Sequence, residues 1–511
     1  MSRNMLLLPL WVLAVLVATS LETGDDLAQE LGNTVAASII GVDVVIQRAH
    51  NDSDNYANTA QHTAVLQGNI GMVTMILGRG VNLKAKDEYG RTPLMLASSS
   101  GHVDEVKLLI DRGASLDDRD NFRDTPLHYA AREGHVGVVS ELLAHGADLR
   151  DKGAQGCTPL MVASATGHLD VVKFLIDRGA LVNETDDFGY AALHHAALAG
   201  FLYTVITLLD YGANPSIKTE EGRTPLMTAS ETGHSVVVKI LFDRGASVND
   251  IDISGRTALH LAATAGFLDT VIMLLDCGAN PTIKGKDSST PLLAASVTGH
   301  LDVVKILIDR GAPINDTDAF GHTALHHVAT AGFLDIVMTL LDSGANPRVK
   351  GKEGGTPLMA ASVMGHSDVV KFLIDRGAPV NDTDDSGYTA LHHAAAAGFS
   401  DTAITLLDCG ANPRVKGKKG RTPLMAASVT GHSAMVKILI RRGASVNDID
   451  DSGFTALHTA AAAGFLDTVI TLLECGANPR IKSKKGNTAL IVASDSGHWD
   501  VVNVLIDRGR P

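Results

Sequence analysis

Three pairs of adjacent histidines are the residues best suited to metal binding or proton transfer: His194 and His195, His326 and His327, and His392 and His393. Imidazole nitrogens bind zinc and exchange protons near neutral pH. One zinc ion needs its ligands about 2 Å away, so different pairs share an ion only where the fold brings them together. The organisation of the chain between the pairs therefore decides what they do.

No other pattern of residues indicates catalysis. The glycine-rich stretch 351–355 does not form GxxxxGK[ST] or GxGxxG between a strand and a helix, as a phosphate-binding loop requires. No nucleophile stands beside a base in a known arrangement. We therefore predict a protein that is not an enzyme, with no catalytic residue, no metal site and no bound cofactor.

A strict period organises the chain. One position recurs every 33 residues without an insertion, at Thr92, Thr125, Thr158, Ala191, Thr224, Thr257, Thr290, Thr323, Thr356, Thr389, Thr422, Thr455 and Thr488. Thr59 begins an earlier, degenerate copy, and residues 36–47 resemble a degenerate half-repeat. Such a period is typical of repeat architectures. We predict an N-terminal cap at 21–58 and about 14 repeats within 59–511. The predicted repeats are 59–91, 92–124, 125–157, 158–190, 191–223, 224–256, 257–289, 290–322, 323–355, 356–388, 389–421, 422–454, 455–487 and 488–511.

One copy, residues 389–421, contains the signals for two short helices. Thr389 is a good N-cap, and the sister copies place proline at the next position, where a helix tolerates it. Apolar residues follow at helical spacing, and Gly398 is suited to end the helix in the left-handed conformation. The second helix is expected to end at Gly410. The segment after it contains Pro and Gly and predicts a loop or β-hairpin, which we call a finger.

Helices this short are marginal alone, because one copy buries too little apolar area to offset its loss of conformational entropy. Stacked copies complete one another's cores in a quasi-one-dimensional solenoid. At a helix spacing of about 10 Å, the histidine pairs are then about 20 Å or more apart and cannot share a metal ion. We interpret the first histidine of each pair as support for the threonine cap, and the second as a residue of the groove.

The copy that begins at Thr125 carries the fullest family motif. It reads TPLHYAA, followed by Gly-His at 134–135, Leu-Leu at 142–143 and Gly-Ala at 146–147. The sequence resembles the ankyrin repeat family over residues 59–511, although other copies have TPLM or TALH in place of TPLH. The resemblance implies an all-α ankyrin-repeat solenoid of helix-turn-helix pairs, with β-hairpin or loop fingers.

Composition limits the class of partner. The formal net charge of −14 argues against nucleic acid as the main partner. Aromatic residues make up only 4% of the chain, as expected of a stack without a large central core. We expect a protein partner, no small-molecule substrate, and no membrane span in the mature chain.

Residues 1–20 have the features of a secretory signal peptide. They contain Arg3, an apolar run from Met5 to Ala18, and a small residue at Ser20, after which cleavage is plausible. The alternatives are an uncleaved anchor, and a mistaken start or merely hydrophobic N-terminus. The prediction places the protein in the secretory pathway or outside the cell, and the alternative location is the cytoplasm.

Four sequons are candidates for N-glycosylation, at Asn51, Asn183, Asn315 and Asn381. The last three fall in fingers, where a glycan would be exposed if the chain is exported. The alternative is that the Asn-Asp-Thr sequence serves only the geometry of the turn.

The cysteines do not predict disulfides. Cys277, Cys409 and Cys475 occupy the same place in three copies that are at least two repeats apart, which is too far for a disulfide within one chain. Cys157 lies in a finger, at a different kind of position. The absence of disulfides is neutral for a long solenoid and mildly unfavourable for an extracellular location.

From Thr158 onward two classes of copy alternate, and their fingers carry opposite charge. The acidic candidates for partner binding are Asp382, Asp384 and Asp385, and the basic ones are Arg414, Lys416, Lys418, Lys419, Arg421, Arg480, Lys482, Lys484 and Lys485. Weak attraction between neighbouring fingers explains this pattern without a partner, as does recent duplication of a two-repeat unit. The functional alternative is a partner with repeating charge of its own that docks along the finger row.

The two residues before the glycine of each first helix line the concave face, or groove, of stacks that this sequence resembles. Most of these residues are small and weakly apolar, and the candidates for partner contact are Val363, Met364, Val429 and Thr430. The groove could accept an extended peptide or a partner's helix. The alternative is that these small groove residues only reflect duplication of a consensus repeat and have no role in binding.

We predict a non-catalytic scaffold that binds a protein partner along the groove and the finger row. One alternative is a secreted effector or toxin-like targeting protein, which an added effector domain would mark. Another is a self-associating structural module. It is suggested by Ile491, Val501, Leu505 and Ile506, which are expected to face water if the stack stops at the last copy.

Overall fold

The computed structural model describes residues 55–78 and 82–508, which contain 28 α-helices and no β-strand. The predicted signal peptide, most of the predicted cap and the sequon at Asn51 lie outside the described residues. The chain divides into a first unit that ends at Asp252 and a second that begins at Ile253.

In the first unit the helices are α1 (Asn55–Leu66), α2 (Ile70–Leu77), α3 (Pro93–Ser100), α4 (Val103–Asp111), α5 (Pro126–Arg132), α6 (Val136–Ala144), α7 (Pro159–Thr166), α8 (Leu169–Asp177), α9 (Ala192–Ala199), α10 (Leu202–Asp210), α11 (Pro225–Glu231) and α12 (Ser235–Asp243). In the second unit they are α13 (Ala258–Ala265), α14 (Leu268–Asp276), α15 (Pro291–Thr298), α16 (Leu301–Asp309), α17 (Ala324–Ala331), α18 (Leu334–Asp342), α19 (Pro357–Met364), α20 (Ser367–Asp375), α21 (Ala390–Ala397), α22 (Ser400–Asp408), α23 (Pro423–Val429), α24 (Ser433–Arg441), α25 (Ala456–Ala463), α26 (Leu466–Glu474), α27 (Ala489–Asp495) and α28 (Trp499–Arg508). Two 3₁₀ turns lie in fingers, at Ala154–Gly156 and Lys418–Gly420.

Within each unit the helices stack in two layers. The odd-numbered first helices pack on the first helices of neighbouring copies, and each also packs on its own second helix. Alanines such as Ala394 are fully buried and allow the first helices to approach closely, while Leu391 and Leu406 fill the space between the layers. Fully burying one such leucine contributes about 2 kcal/mol, and this burial is possible only against a neighbour.

The predicted helix signals act as expected. The hydroxyl of Thr356 accepts a hydrogen bond of 3.3 Å from the Met359 N–H and caps α19. Gly398 ends α21 with a φ of 81°, and Gly410 follows α22 with a φ of 89°. The first described helix begins at Asn55, before Thr59, so the periodic threonine is not its cap.

The fingers are closed loops and not β-hairpins in the described chain. In one finger, the Asp384 N–H donates to the Tyr388 carbonyl at 3.0 Å, and the carboxylate Oδ1 of Asp384 accepts from the Ser386 and Tyr388 N–H groups. One backbone bond of 2.7 Å, from the Lys418 N–H to the Ser386 carbonyl, joins this finger to the next. Single bonds of this kind do not extend into a ladder, so the loop alternative of the sequence prediction is the correct one.

Three of the predicted sequon asparagines tie neighbouring copies together. The amide of Asn381 donates to the Gly410 carbonyl at 3.2 Å, and its oxygen accepts from the Asn412 N–H at 2.8 Å. Asn183 and Asn315 make the equivalent bonds. Asn447 also makes them, although Asn-Asp-Ile is not a sequon. The fold therefore explains an asparagine here without a glycan.

Replacing this asparagine should cost stability whether or not it lies in a sequon. We expect Asn381→Ala and Asn447→Ala each to lose roughly 1–2 kcal/mol of unfolding free energy, because each change removes two hydrogen bonds between copies. Urea denaturation of protein made without glycosylation measures both losses. A loss confined to Asn381→Ala would contradict the equivalence.

Ser288 occupies a left-handed turn position with a φ of 62°, where the sister copies have glycines such as Gly321 and Gly387. A side chain strains this backbone, so Ser288→Gly should raise the free energy of unfolding by about 0.5–1 kcal/mol. Ser386 has no such φ and provides the control. Ser386→Gly should give no gain in the same urea titration, and equal gains would refute strain as the cause.

The last helix pair is better buried than the sequence predicted. Val501 and Leu505 were expected to face water, but both point inward, with 1% and 3% of their surface exposed. The expectation was correct for Ile491 and Ile506, each 42% exposed. One copy is enough to cover one face of α28, so only the outer face keeps exposed isoleucines. Among the cysteines, Cys157 and Cys277 are buried, whereas Cys409 and Cys475 are half-buried.

Candidate partner-binding site

The first histidine of each TALH copy is a structural residue. Nδ1 of His392 accepts from the Thr389 N–H at 3.1 Å and lies 2.9 Å from the Thr389 hydroxyl. Its Nε2 donates at 3.1 Å to the carbonyl of Arg421, the last residue of the same copy, 389–421. Nδ1 is thus an acceptor and Nε2 a donor, which defines one neutral tautomer. The histidine therefore supports the threonine cap, as predicted, and also holds the end of the finger that leads into the next copy.

Burial keeps these first histidines neutral. Removal from water lowers the pKa of His194, His326 and His392 to about 4. The nearby backbone carbonyl and aspartate raise the pKa, but their effect is smaller than that of burial. The same cause lowers the pKa of His128 and His458. A neutral imidazole held on both nitrogens is not available for catalysis near neutral pH.

The second histidine of each pair contacts an aspartate in the finger that precedes its helix. The Nε2–Oδ2 distances are 3.1 Å for His195 and Asp186, 2.9 Å for His327 and Asp318, and 3.0 Å for His393 and Asp384. His327 and His393 also border the groove, as predicted. His195 does not, because it is 4% exposed and lies beneath the finger.

Two groups of side chains bring metal-ligand atoms within 4.8 Å of one another in the described chain. One consists of Cys157, Asp186 and His195, all buried, and the other of Asp318, His322 and His327, all half-buried. The sequence prediction compared histidine pairs only with other pairs, so it missed groups formed by one histidine and the fingers. The signal available was an aspartate nine residues before a histidine.

Cys157 is not a nucleophile in this setting. Burial, and next the charge of Asp186, raise the pKa of its thiol to about 12. Its Sγ lies 3.9 Å from Oδ2 of Asp186, a carboxylate that disfavours the thiolate. A thiol with so high a pKa is a thiolate only in trace amounts at neutral pH.

The basic fingers contain two kinds of residue. Nζ of Lys416 donates to the Ile449 carbonyl at 2.9 Å, and Nε of Arg414 donates to the Gly443 carbonyl at 2.8 Å, so both are bound to the following copy. Lysines 218, 284 and 350 likewise reach the next finger, through a carboxylate or a carbonyl. Part of the alternation of charge therefore stabilises contacts between neighbouring fingers, which is the explanation that needs no partner.

The remaining basic candidates extend toward solvent. Lys418, Lys419 and Arg421 are exposed, as are Arg480, Lys482, Lys484 and Lys485. The backbone of Lys419 has a φ of 65°, so the tip of this finger is a strained turn. Exposed cations of this kind are suited to attract an acidic partner.

Two neighbouring clefts lie between fingers on the groove side of the second unit. The first has a volume of about 570 Å³ and is lined by His322, His326, His327, Thr330, Glu353, Gly355, Thr356, Met359, Ala360, Val363, Asp384, Asp385, Ser386 and His393. The second has a volume of about 290 Å³ and is lined by Tyr388, His392, His393, Ala396, Arg421, Met425, Ala426, Val429 and Thr459. His393 borders both, so the clefts adjoin.

The structure brings some of the predicted site residues together and leaves others apart. Val363, Asp384 and Asp385 line the first cleft, and Val429 and Arg421 line the second. Exposed Met364 and Thr430 lie beside these valines, while Asp382 and the other basic residues lie outside both clefts.

Glu353, His322 and Tyr388 also line these clefts and were not predicted. Each lies in a finger within three residues of the periodic threonine, which is the signal that would have found them.

The structure defines a repeat protein of stacked helix pairs, with a groove and a finger row as its candidate site. The family model for ankyrin repeats in three copies matches residues 28–120, 61–153, 115–186, 149–219, 193–285, 281–351, 332–417 and 391–483, and the single ankyrin repeat model matches 485–511. The chain belongs to the ankyrin repeat family, as predicted, and its all-α fold class is that of an ankyrin-repeat solenoid.

Ankyrin repeats are in general protein-interaction modules without catalytic activity. A comparison with curated proteins gives no match. None of the helices in residues 55–78 and 82–508 has both the length and the apolar character needed to cross a membrane.

Proposed function

We propose that this array is a non-catalytic scaffold that binds a protein partner along the groove and finger row of the second unit. The observation that supports it most is the adjoining pair of clefts, whose floor contains Val363 and Val429, each 42% exposed. Met364 extends this apolar surface and is 49% exposed. Exposed apolar side chains at the base of a charged cleft are typical of a surface that becomes covered on binding.

The charges around the floor indicate what the partner presents. Glu353 and Asp385 are exposed beside the first cleft, while Arg421 borders the second, with Lys418 and Lys419 exposed beyond it in the same finger. An extended segment with apolar side chains on the floor, a basic group over the first cleft and an acidic group near the second would match this order. We therefore favour a peptide segment of alternating charge.

The test is proximity labelling with the full chain, comparing wild type with the double variant Val363→Arg and Val429→Arg. Recovery of specific partners should fall at least about tenfold, which corresponds to about 1.4 kcal/mol of binding free energy. Lys437→Glu on the outer helix α24 is the control, because Lys437 is exposed away from the clefts. Recovery of the same partners at equal levels from the double variant and from Lys437→Glu would refute the groove as the binding surface. Circular dichroism must show that both variants are folded.

We also propose that the protein enters the secretory pathway. The support is the sequence of residues 1–20, with its basic start, apolar run and small residues near Ser20. N-terminal sequencing of the protein purified from its natural source tests this proposal. A start near Leu21 is expected, and an intact Met1 would contradict a cleaved signal peptide and favour the cytoplasm.

A further inference from the structure

We propose that Cys157, Asp186 and His195 form a binding site for one thiophilic divalent metal ion, best matched by zinc. Their ligand atoms already lie near the spacing that zinc requires. Nε2 of His195 is 3.1 Å from Oδ2 of Asp186, and Sγ of Cys157 is 3.9 Å from the same oxygen. Bond lengths of about 2.0–2.3 Å at tetrahedral angles place ligand atoms roughly 3.3–3.5 Å apart. The remaining separation, between the thiol sulfur and the imidazole nitrogen, is within 4.8 Å, so side-chain shifts of about 1 Å would admit the ion.

The carboxylate is held ready for such an ion. Oδ1 of Asp186 accepts from the Phe188 and Tyr190 N–H groups at 2.9 and 2.8 Å, which fixes the orientation of the side chain. Oδ2 is left facing the thiol and the imidazole. Outer hydrogen bonds that orient a ligand in this way are a regular part of metal sites.

The charges and ligand types favour zinc over magnesium or calcium. A thiolate, a carboxylate and a neutral imidazole together carry two negative charges, which a divalent ion neutralises within a buried cluster. On binding, the thiol releases its proton to solvent, and the imidazole proton moves from Nε2 to Nδ1. Sulfur and nitrogen ligands suit zinc or cobalt, whereas magnesium and calcium prefer oxygen alone. A water molecule would supply the fourth ligand, because Oδ1 of Asp186 is already bound to two backbone N–H groups.

Sister copies show what the cysteine adds. The pairs Asp318–His327 and Asp384–His393 have the same carboxylate–imidazole contact. Ser289 and Gly355 occupy the position of Cys157 before these pairs. These copies therefore provide the carboxylate and the imidazole without the sulfur ligand, and they serve as controls within the same molecule.

Such a site would connect three successive copies. Cys157 lies in the finger before α7, Asp186 in the finger before α9, and His195 on α9 itself. Because neighbouring copies are otherwise held by short-range contacts, an ion at this point would stabilise the first unit against unfolding.

The test is a cobalt(II) titration of the reduced, metal-free full chain. We expect about one equivalent of cobalt to give the visible bands of a tetrahedral site and a thiolate-to-cobalt charge-transfer band, and zinc to abolish both. Cys157→Ser should remove the charge-transfer band, and His195→Gln should weaken cobalt binding at least about tenfold. Cys409→Ser and His393→Gln are the matched controls and should bind cobalt like the wild type.

Several outcomes would overturn the site. A wild-type chain that gives no charge-transfer band has no such site. A band that persists in Cys157→Ser, or unchanged affinity in His195→Gln, shows that other residues bind the ion. Because serine replaces cysteine with little change in volume, circular dichroism should show Cys157→Ser folded. The wild-type titration decides the question even if that variant fails to fold.

Discussion

Lowering the pH from about 6.5 to about 4 should remove a large part of the stability of this protein. The pKa of His194, His326 and His392 is about 4 in the folded chain and near 6.5 when unfolded, so the unfolded chain binds more protons between these values. Stability from these histidines is therefore fully present above about pH 6.5 and is lost as the pH falls toward 4. Each contributes up to about 1.4 kcal/mol per pH unit, or about 3 kcal/mol in all.

Urea denaturation at several pH values between 7.5 and 4 measures this dependence. The variant His392→Met places the residue of the TPLM copies at this position. It should reduce the loss of unfolding free energy between about pH 6.5 and about pH 4 by the contribution of one histidine. Met425→Leu in a TPLM copy is the control, because it changes packing without changing a titrating group. A dependence equally steep in His392→Met and wild type would show that the buried imidazole is not its source. Aspartates with lowered pKa, such as Asp318, lose their contribution only at lower pH, below about 3.8.

Gly398→Ala should be among the most destabilising single substitutions in the second unit. The φ of Gly398 is 81°, where an alanine side chain is strained. A Cβ at this position would also lie 2.6 Å from two atoms of the His432 ring in the next copy. Strain and overlap together should cost about 3 kcal/mol or more, because the ring belongs to a packed interface that must shift.

Gly410 separates the two causes. Its φ of 89° imposes the same strain, but a Cβ there would meet no atom within 4 Å. Gly410→Ala should therefore cost only about 1–2 kcal/mol. Thermal and urea unfolding of the two variants give the difference, which measures the contact between copies. Equal losses would mean that the backbone conformation alone determines the effect and that the His432 ring moves freely.

The sequence predicted the helix pairs because their signals are local. The periodic threonine, the following proline and the two glycines act within one copy, so their spacing alone locates most helix ends. The form of the fingers was left open between a hairpin and a loop. That choice depends on how many backbone bonds neighbouring fingers share, and the answer of about one per finger is a property of two copies together.

The candidate site was predicted less completely. The valines and aspartates of the clefts were found, because their positions follow from the repeat. The division of the basic residues into those bound to the next finger and those left exposed was not found. Lys416 and Lys418 look alike in sequence, and only the distance from each nitrogen to the neighbouring finger separates them.

The sequence by itself determined the family, the all-α fold class and the number of residues in each copy, because each depends on a pattern that repeats along the chain. Tertiary structure decided which groups that are distant in sequence meet. It placed His392 against the carbonyl of Arg421 at the far end of its copy, and it brought Cys157, Asp186 and His195 from three copies into one cluster. Such meetings depend on the stacking geometry, in which residues 29 positions apart come within hydrogen-bonding distance.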